Sequence, residues 1–468
     1  MADSRHPAVT LDFYGAAHTV TGSRFVVTTS DARVLVDCGL FQGLRKLRQR
    51  NWDPFPVDVR TIDAVVVSHS HLDHSGYLPA LARDGYDRSI VATAETAQLA
   101  AIVLKDSAHL LTEDATHARE QGYSKHRDPQ PLYTDADVQT AVGLFRPAAY
   151  GAETVLTQGV SATLTPAGHI LGSSSIRLSL GDGGRTLLFS GDLGRSSHPL
   201  LVPPAAPPAA DVVVVESTYG DRHHPDDDGA ARLADVIRRT VKRRGTVVIP
   251  AFAVDRTEML LMSLKELRHS GAIPDVPIYV DSPMALEGLR VYRDAVRDGA
   301  VDIRPELRGH GDLFDPGNLH ELRTVEESKR LNNPDQPCVI LSASGMATGG
   351  RVLHHLAGLL PDAENTVVLA GFQAVGTRGR QLLDGAKAVK IHGRYVPVNA
   401  EIVEIPTFSA HADGNGVLEW LGSAPRRPDV CFVVHGEPSA AEEIRRRIAR
   451  ELGWTVVVPN HGERVRVD

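Results

Sequence analysis

The sequence predicts an α/β protein in which one α/β domain is interrupted by a second. Three observations carry this expectation. Short apolar strand-like runs dominate up to about residue 200, a Pro/Ala-rich break follows at Leu200–Ala210 (LLVPPAAPPAA), and strand-like and helix-like segments then alternate. In the first stretch, strands are expected at Val9–Phe13, Arg24–Thr28, Arg33–Val36, Ala64–Val67, Ser161–Thr165, Ser175–Leu180 and Thr186–Phe189, with one long helix over about Glu95–Gln121. After the break, strand-like Val212–Val215, Thr246–Ile249, Ile278–Val280, Cys338–Leu341 and Thr366–Leu369 alternate with helical spacing at Gly229–Arg244, Arg256–Ser270 and Pro283–Arg297, which predicts a parallel sheet. From about Lys390 short strands return, followed by Val430–Val434, a helix over Ala440–Leu452 and Thr455–Val458. The expected division is therefore 1–210 and 391–468 for the split domain and 211–390 for the insertion.

Composition narrows the function classes. The chain has 468 residues, 42% hydrophobic and 23% charged, as expected of a soluble globular protein. No apolar run approaches the roughly 20 residues that span a bilayer, and Met1–Thr10 has no signal-peptide pattern, so a cytoplasmic protein without a membrane partner is expected. Cys38, Cys338 and Cys431 are far apart, which excludes a disulfide framework or a thiolate zinc site. A metal here would be held by imidazole and carboxylate, and 21 histidines are available. The net charge of −8 argues against a surface devoted to nucleic acid, but a local cleft can grip a few phosphates on an otherwise acidic protein.

The strongest local signal is Ser68-His69-Ser70-His71-Leu72-Asp73-His74, on the expected loop directly after the run Ala64–Val67. Three imidazoles and a carboxylate packed so closely would compete for protons if buried without an ion. Around one or two divalent ions they are natural ligands. Four more segments end an apolar run in a ligand-type residue: His169, Asp192, Glu216 and His435. Each alone reads as a cap or turn residue, but α/β sheets gather sites at strand C-termini, where these ends can converge.

His69-x-His71-x-Asp73-His74, with Asp37, His169 and Asp192, resembles the metallo-β-lactamase superfamily. Glu216, His411 (in Phe408-Ser-Ala-His-Ala-Asp413) and His435 resemble the further motifs of its β-CASP branch, as do Ser342–Met346, Gly349-Gly-Arg351 and Gly371–Arg378. The resemblance runs through essentially the whole chain. It implies a four-layer αββα domain with an inserted parallel-sheet β-CASP domain, two Zn2+ ions (Mn2+ being the alternative) and hydrolysis of RNA phosphodiester bonds. By the same resemblance His69, His71 and His169 would hold one ion, Asp73, His74 and His435 the other, and Asp192 would bridge them. Asp37 would orient the ligand loop, and His411 oriented by Glu216 would protonate the leaving 3′-oxygen. RNA-cutting members resemble this chain in carrying His at the position of His435. The resemblance further implies a site in a cleft between the domains that admits single-stranded RNA.

Weaker signals remain open. Arg351 and Ser409 read either as phosphate contacts or as turn residues. The basic run Leu44–Arg50 reads as an RNA-backbone contact or a solvated face, and His109, His117, His198, His223 and His224 read as surface residues. The rival functions are a small ester, lactone or thioester hydrolase, which would lack the insertion and the Glu216/His411 pair, and a non-catalytic RNA-processing scaffold, which would have lost ligands. A di-iron oxidoreductase would need a flavin module that is not apparent. Endonuclease versus exonuclease mode and oligomeric state are not readable from the sequence.

Overall fold

The computed structural model describes residues 9–121, 128–181, 184–224 and 229–468. Most of the Met1–Thr10 segment read above lies outside them. By internal contacts the chain divides into two compact units, Met1–His223 with His411–Asp468, and His224–Ala410. No helix among the described residues is long and apolar enough to cross a membrane.

The first unit is a sandwich of two seven-stranded sheets. One runs Glu463–Arg466, Thr10–Phe13, Phe25–Thr28, Arg33–Val36, Ala64–Val66, Ile90–Ala92, Phe145–Pro147. The other runs Val456–Val457, Val430–Val433, Val212–Val215, Thr186–Phe189, Ser174–Leu180, Val160–Pro166, Glu153–Thr157. The two-residue period of a strand sends alternate side chains to opposite faces. Val34, Val36, Val212 and Val214 accordingly meet in the core between the sheets. Leu35 packs outward under the helices Leu78–Arg83 and Asp135–Gly143, and Val213 and Val215 under Gly414–Gly422 and Pro438–Arg447. The result is the four-layer αββα order.

The second unit holds a six-stranded parallel sheet in the order Leu319–Glu321, Ile278–Val280, Val339–Ser342, Val247–Pro250, Thr366–Leu369, Glu401–Glu404, with a small hairpin of Ala388–Ile391 and Arg394–Pro397. The breakpoints fall later than the expected 210/211 and 390/391. Val212–Val215 pairs in parallel with Thr186–Phe189 and Val430–Val433, so it belongs to the first unit. Glu401–Glu404 pairs with Thr366–Leu369, so it belongs to the second. Sheet membership depends on long-range pairing, to which a local hydrophobic pattern is blind.

Candidate active site

The His69–His74 segment is held from beneath by Asp37, at the end of its own strand in a left-handed conformation (φ 57°). The Asp37 carboxylate accepts from the Ser68 amide at 2.7 Å and the Ser68 hydroxyl at 2.9 Å, and lies 2.7 Å from His74 Nδ1. The segment is not all loop: His71 precedes a helical turn, Leu72–Ser75, and the His74 amide donates to the His71 carbonyl. That turn brings His74 back over Asp37. Residues 38–40 strap the outside of the turn, with the Cys38 and Leu40 amides donating to the His74 and Leu72 carbonyls. A Cβ at Gly39 would lie 1.7 Å from the Asp73 carbonyl oxygen, so only glycine permits this approach.

The strand ends then deliver the remaining groups. His71 Nδ1 lies 3.1 Å from His69 Nε2 and 3.3 Å from His169 Nε2, while His74 Nε2 lies 3.1 Å from His435 Nε2. Asp192 stands between the two groups. Its Oδ2 is 3.5 Å from His69 Nε2 and 3.7 Å from His169 Nε2, and its Oδ1 is 3.3 Å from His74 Nε2. Asp73 Oδ2 faces His435 Nε2 at 3.6 Å. Ligand atoms of His69, His71, His169 and Asp192 lie within 4.8 Å of one another, as do those of Asp73, His74 and His435.

These residues fit divalent metal. Imidazole nitrogens face each other at hydrogen-bond distance, and Asp192 Oδ1 and His169 Nδ1 are buried with no hydrogen-bond partner among the described residues. Such an arrangement is costly unless something accepts the lone pairs. Burial, and then the neighbouring imidazoles, hold His69 and His169 well below the ordinary histidine pKa, which keeps them neutral donors. Burial also opposes charge on His74, yet the carboxylates of Asp192 and Asp37 outweigh it and raise its pKa well above the ordinary value. The positive charge those carboxylates attract is a proton or a metal ion.

Beside this cluster, His411 Nδ1 lies 3.2 Å from Glu216 Oε1, and its Nε2 is 4.0 Å from Asp192 Oδ2. Glu216 is fixed in turn by the Leu193 amide at 2.6 Å and the Thr218 amide at 3.2 Å. Burial disfavours the charged form of His411, but Glu216 first, then Asp192 and Asp73, raise its pKa above the ordinary value. The Thr218 hydroxyl lies 3.1 Å from His435 Nδ1 and orients that ring.

Ser409 and Arg351 are not part of this cluster. Both fall in the second unit. Arg351 donates to Asp281 Oδ1 at 2.7 Å and to the Leu322 and Arg323 carbonyls, while the Ser409 hydroxyl is buried without a partner among the described residues. His198, expected at the surface, is buried: its Nδ1 accepts from the Leu200 and Leu201 amides, a capping role that its sequence context does not signal. Ser68 and Thr218 escaped the sequence reading, because a hydroxyl beside a ligand carries no pattern of its own.

Residues 20–251 match the metallo-β-lactamase superfamily, 257–382 the Beta-Casp domain and 395–464 the Zn-dependent metallo-hydrolase RNA specificity domain. The chain is 37% identical to Ribonuclease TTHA0252 of Thermus thermophilus over 97% of its length and 99% of the relative's. It is 31% identical to transcription termination factor FttA of Methanocaldococcus jannaschii over 98% of its length and 72% of the relative's. A crystal structure of a protein of unknown function from Enterococcus faecalis shares the fold, with a TM-score of 0.53 at 14% identity, covering 98% of this chain and all of that one. The order of layers, the ligand-rich strand ends and these similarities agree: the chain belongs to the β-CASP branch of the metallo-β-lactamase superfamily.

Proposed function

We propose that the protein is a ribonuclease that hydrolyses single-stranded RNA with two Zn2+ ions, and that residues 224–410 are its inserted β-CASP domain. One observation carries the reading: Asp192 turns one oxygen toward His69 and His169 and the other toward His74, within reach of the His411–Glu216 pair. His69, His71 and His169 would hold one ion, Asp73, His74 and His435 the other, and Asp192 would bridge them. When bound, such ions supply a nucleophile at neutral pH and neutralise the charge of the scissile phosphate. Similarity to a ribonuclease across 97% of the chain favours RNA as the substrate.

The residues divide the remaining work. Asp37 and Ser68 hold the ligand loop in register, and Thr218 holds the His435 ring. Glu216 accepts the Nδ1 proton of His411, which directs Nε2 toward the Asp192 side of the site. The raised pKa keeps a proton on that imidazole, and His411 gives it to the departing 3′-oxygen, leaving 5′-phosphate and 3′-hydroxyl ends.

Metal-loaded protein is expected to cut 5′-labelled single-stranded RNA in preference to matched DNA, and to lose this activity with chelator or with His69→Ala. His411→Ala is expected to keep its metal and lose about 10²–10⁴-fold in kcat on RNA. It should retain activity on a bis(p-nitrophenyl) phosphodiester, whose phenolate needs no proton to leave. Equal losses on both substrates would remove His411 from the acid role. Intact RNA alongside hydrolysis of a small ester would overturn the ribonuclease reading.

A further inference from the structure

The basic run Leu44–Arg50 ends two residues before Trp52, and in the structure these residues form one exposed excursion of the first unit. Trp52 is 61% exposed and Leu44 45%, whereas the other two tryptophans, Trp420 and Trp454, are buried at 6% and 9%. The helix Arg45–Gln49 buries none of its residues. The side chains of Arg45, Lys46 and Arg48 make no hydrogen bond or ion pair among the described residues. Arg50 packs its guanidinium over the Phe41 ring at 5.4 Å and has Asp53 as its nearby carboxylate.

A second arginine-rich segment differs in that its cations are paired. In the helix Pro438–Arg447, Arg445 pairs with Glu442, Arg446 with Glu443, and Arg447 with Glu451. There the charge is neutralised within one turn. On a chain of net charge −8, three unpaired cations beside an exposed indole mark a surface that awaits an anionic partner.

The excursion is rigidly based. The Asn51 side chain clamps Phe41, accepting from its amide at 2.9 Å and donating to its carbonyl at 2.8 Å. Beneath, the buried Arg24 donates to the Gly39 carbonyl at 2.9 Å and lies 4.0 Å from the Tyr77 ring centroid and 5.0 Å from that of Phe41. Residues 38–40 are the strap bonded to the backbone of Leu72 and His74. The exposed indole and cations therefore stand on the same framework that positions the metal-ligand segment.

We propose that Leu44–Trp52 is a binding platform for single-stranded RNA, with a base stacked on Trp52 and the backbone phosphates held by Arg45, Lys46 and Arg48. An indole face accepts any base, and unpaired cations accept any phosphate, so the platform grips RNA without reading its sequence. This inference rests on the ribonuclease reading above.

The test is steady-state cleavage of a labelled 30-nucleotide single-stranded RNA by the metal-loaded, full-length protein. Trp52→Ala raises KM about tenfold with kcat unchanged, and Trp52→Phe restores most of the loss. Arg45→Glu/Lys46→Glu/Arg48→Glu lowers the slope of log(kcat/KM) against log[salt] by about 2, at about 0.7 per phosphate contact on a single strand. Hydrolysis of the bis(p-nitrophenyl) phosphodiester stays at the parent rate in every variant. Parent-like KM and salt slope in variants of an RNA-cutting parent would overturn the platform alone. A parent that cuts no RNA would overturn the ribonuclease reading and the platform with it.

Discussion

Two buried clusters of histidine and aspartate, one in each unit, settle their charges in opposite ways. In the second unit Asp281 follows the strand Ile278–Val280 and is fully buried. Its Oδ1 accepts from Arg351 at 2.7 Å, and its Oδ2 accepts from the Ser328 hydroxyl and lies 2.6 Å from His355 Nε2. Both carboxylate oxygens have a donor and the cation belongs to the chain, while His355 Nδ1 is buried with no hydrogen-bond partner among the described residues. In the first unit the ion-pair partners of Asp192 among the described residues are all imidazoles, and the imidazole nitrogens face one another. Both clusters are equally buried, so burial does not distinguish a metal centre from a structural polar network. The difference lies in whether the central carboxylate meets a guanidinium of the chain, as Asp281 does, or only imidazoles, as Asp192 does.

Metal removal tests this contrast most severely. An ion that binds only the folded state at a thousandfold excess over its Kd contributes about 4 kcal/mol. Chelation is therefore expected to speed amide exchange sharply in Ala64–Val66 and Val212–Val215, while Ile278–Val280 and Val339–Ser342 keep their protection. Exchange followed by mass spectrometry reads both units in one sample. Equal loss of protection in both units would mean that the second cluster also depends on an ion, and the contrast would fail.

Asp281→Asn breaks the comparison from the other side. It leaves the Arg351 guanidinium beside a neutral amide in a mostly buried place, a change expected to cost about 3 kcal/mol. Exchange protection should fall across the second unit, with the metal content of the protein unchanged. The acid dependence follows from the same contacts. Burial opposes charge on Asp281, but hydrogen bonds from His355, Ser328 and Arg351 outweigh it and hold the pKa below the ordinary carboxylate value. A depressed folded pKa means that this stabilisation is fully present above the ordinary carboxylate range and is lost as pH falls through the lower folded value. In Asp281→Asn the second unit should lack that acid-side loss.

How much of this was legible in the sequence depends on whether a feature is local. The run from His69 to His74 compresses four ligand-type side chains into six residues, and each of His169, Asp192, Glu216 and His435 ends an apolar run, so the strand–ligand pattern was visible. The strand Val212–Val215 was also visible as a strand, but its place beside Val430–Val433 was not, because the partner lies about two hundred residues on. Arg351 illustrates the same limit: its Gly-Gly-Arg context reads as a phosphate contact or a turn, and its pairing with Asp281, seventy residues away, is visible only in the fold. The exposure of Trp52 was hidden for the converse reason, since an indole in sequence reads as core until its surroundings are known.

The smallest effect sharpens the comparison within the first cluster itself. Asp37 is not one of the proposed ligands. It acts through His74 Nδ1 at 2.7 Å and through the Ser68 amide and hydroxyl. In Asp37→Asn the ring of His74 keeps a hydrogen-bond partner of similar shape but loses the negative charge that makes its far nitrogen a better donor. Partners of this kind are worth about 10–100-fold in metal affinity. The variant is therefore expected to bind Zn2+ that much more weakly in competition with a chromophoric chelator, and to regain activity at raised Zn2+ concentration. Rescue by metal would place Asp37 behind the ligands, whereas a loss of activity that saturating Zn2+ does not restore would show that it shapes the ligand loop, through Ser68, rather than the affinity of His74.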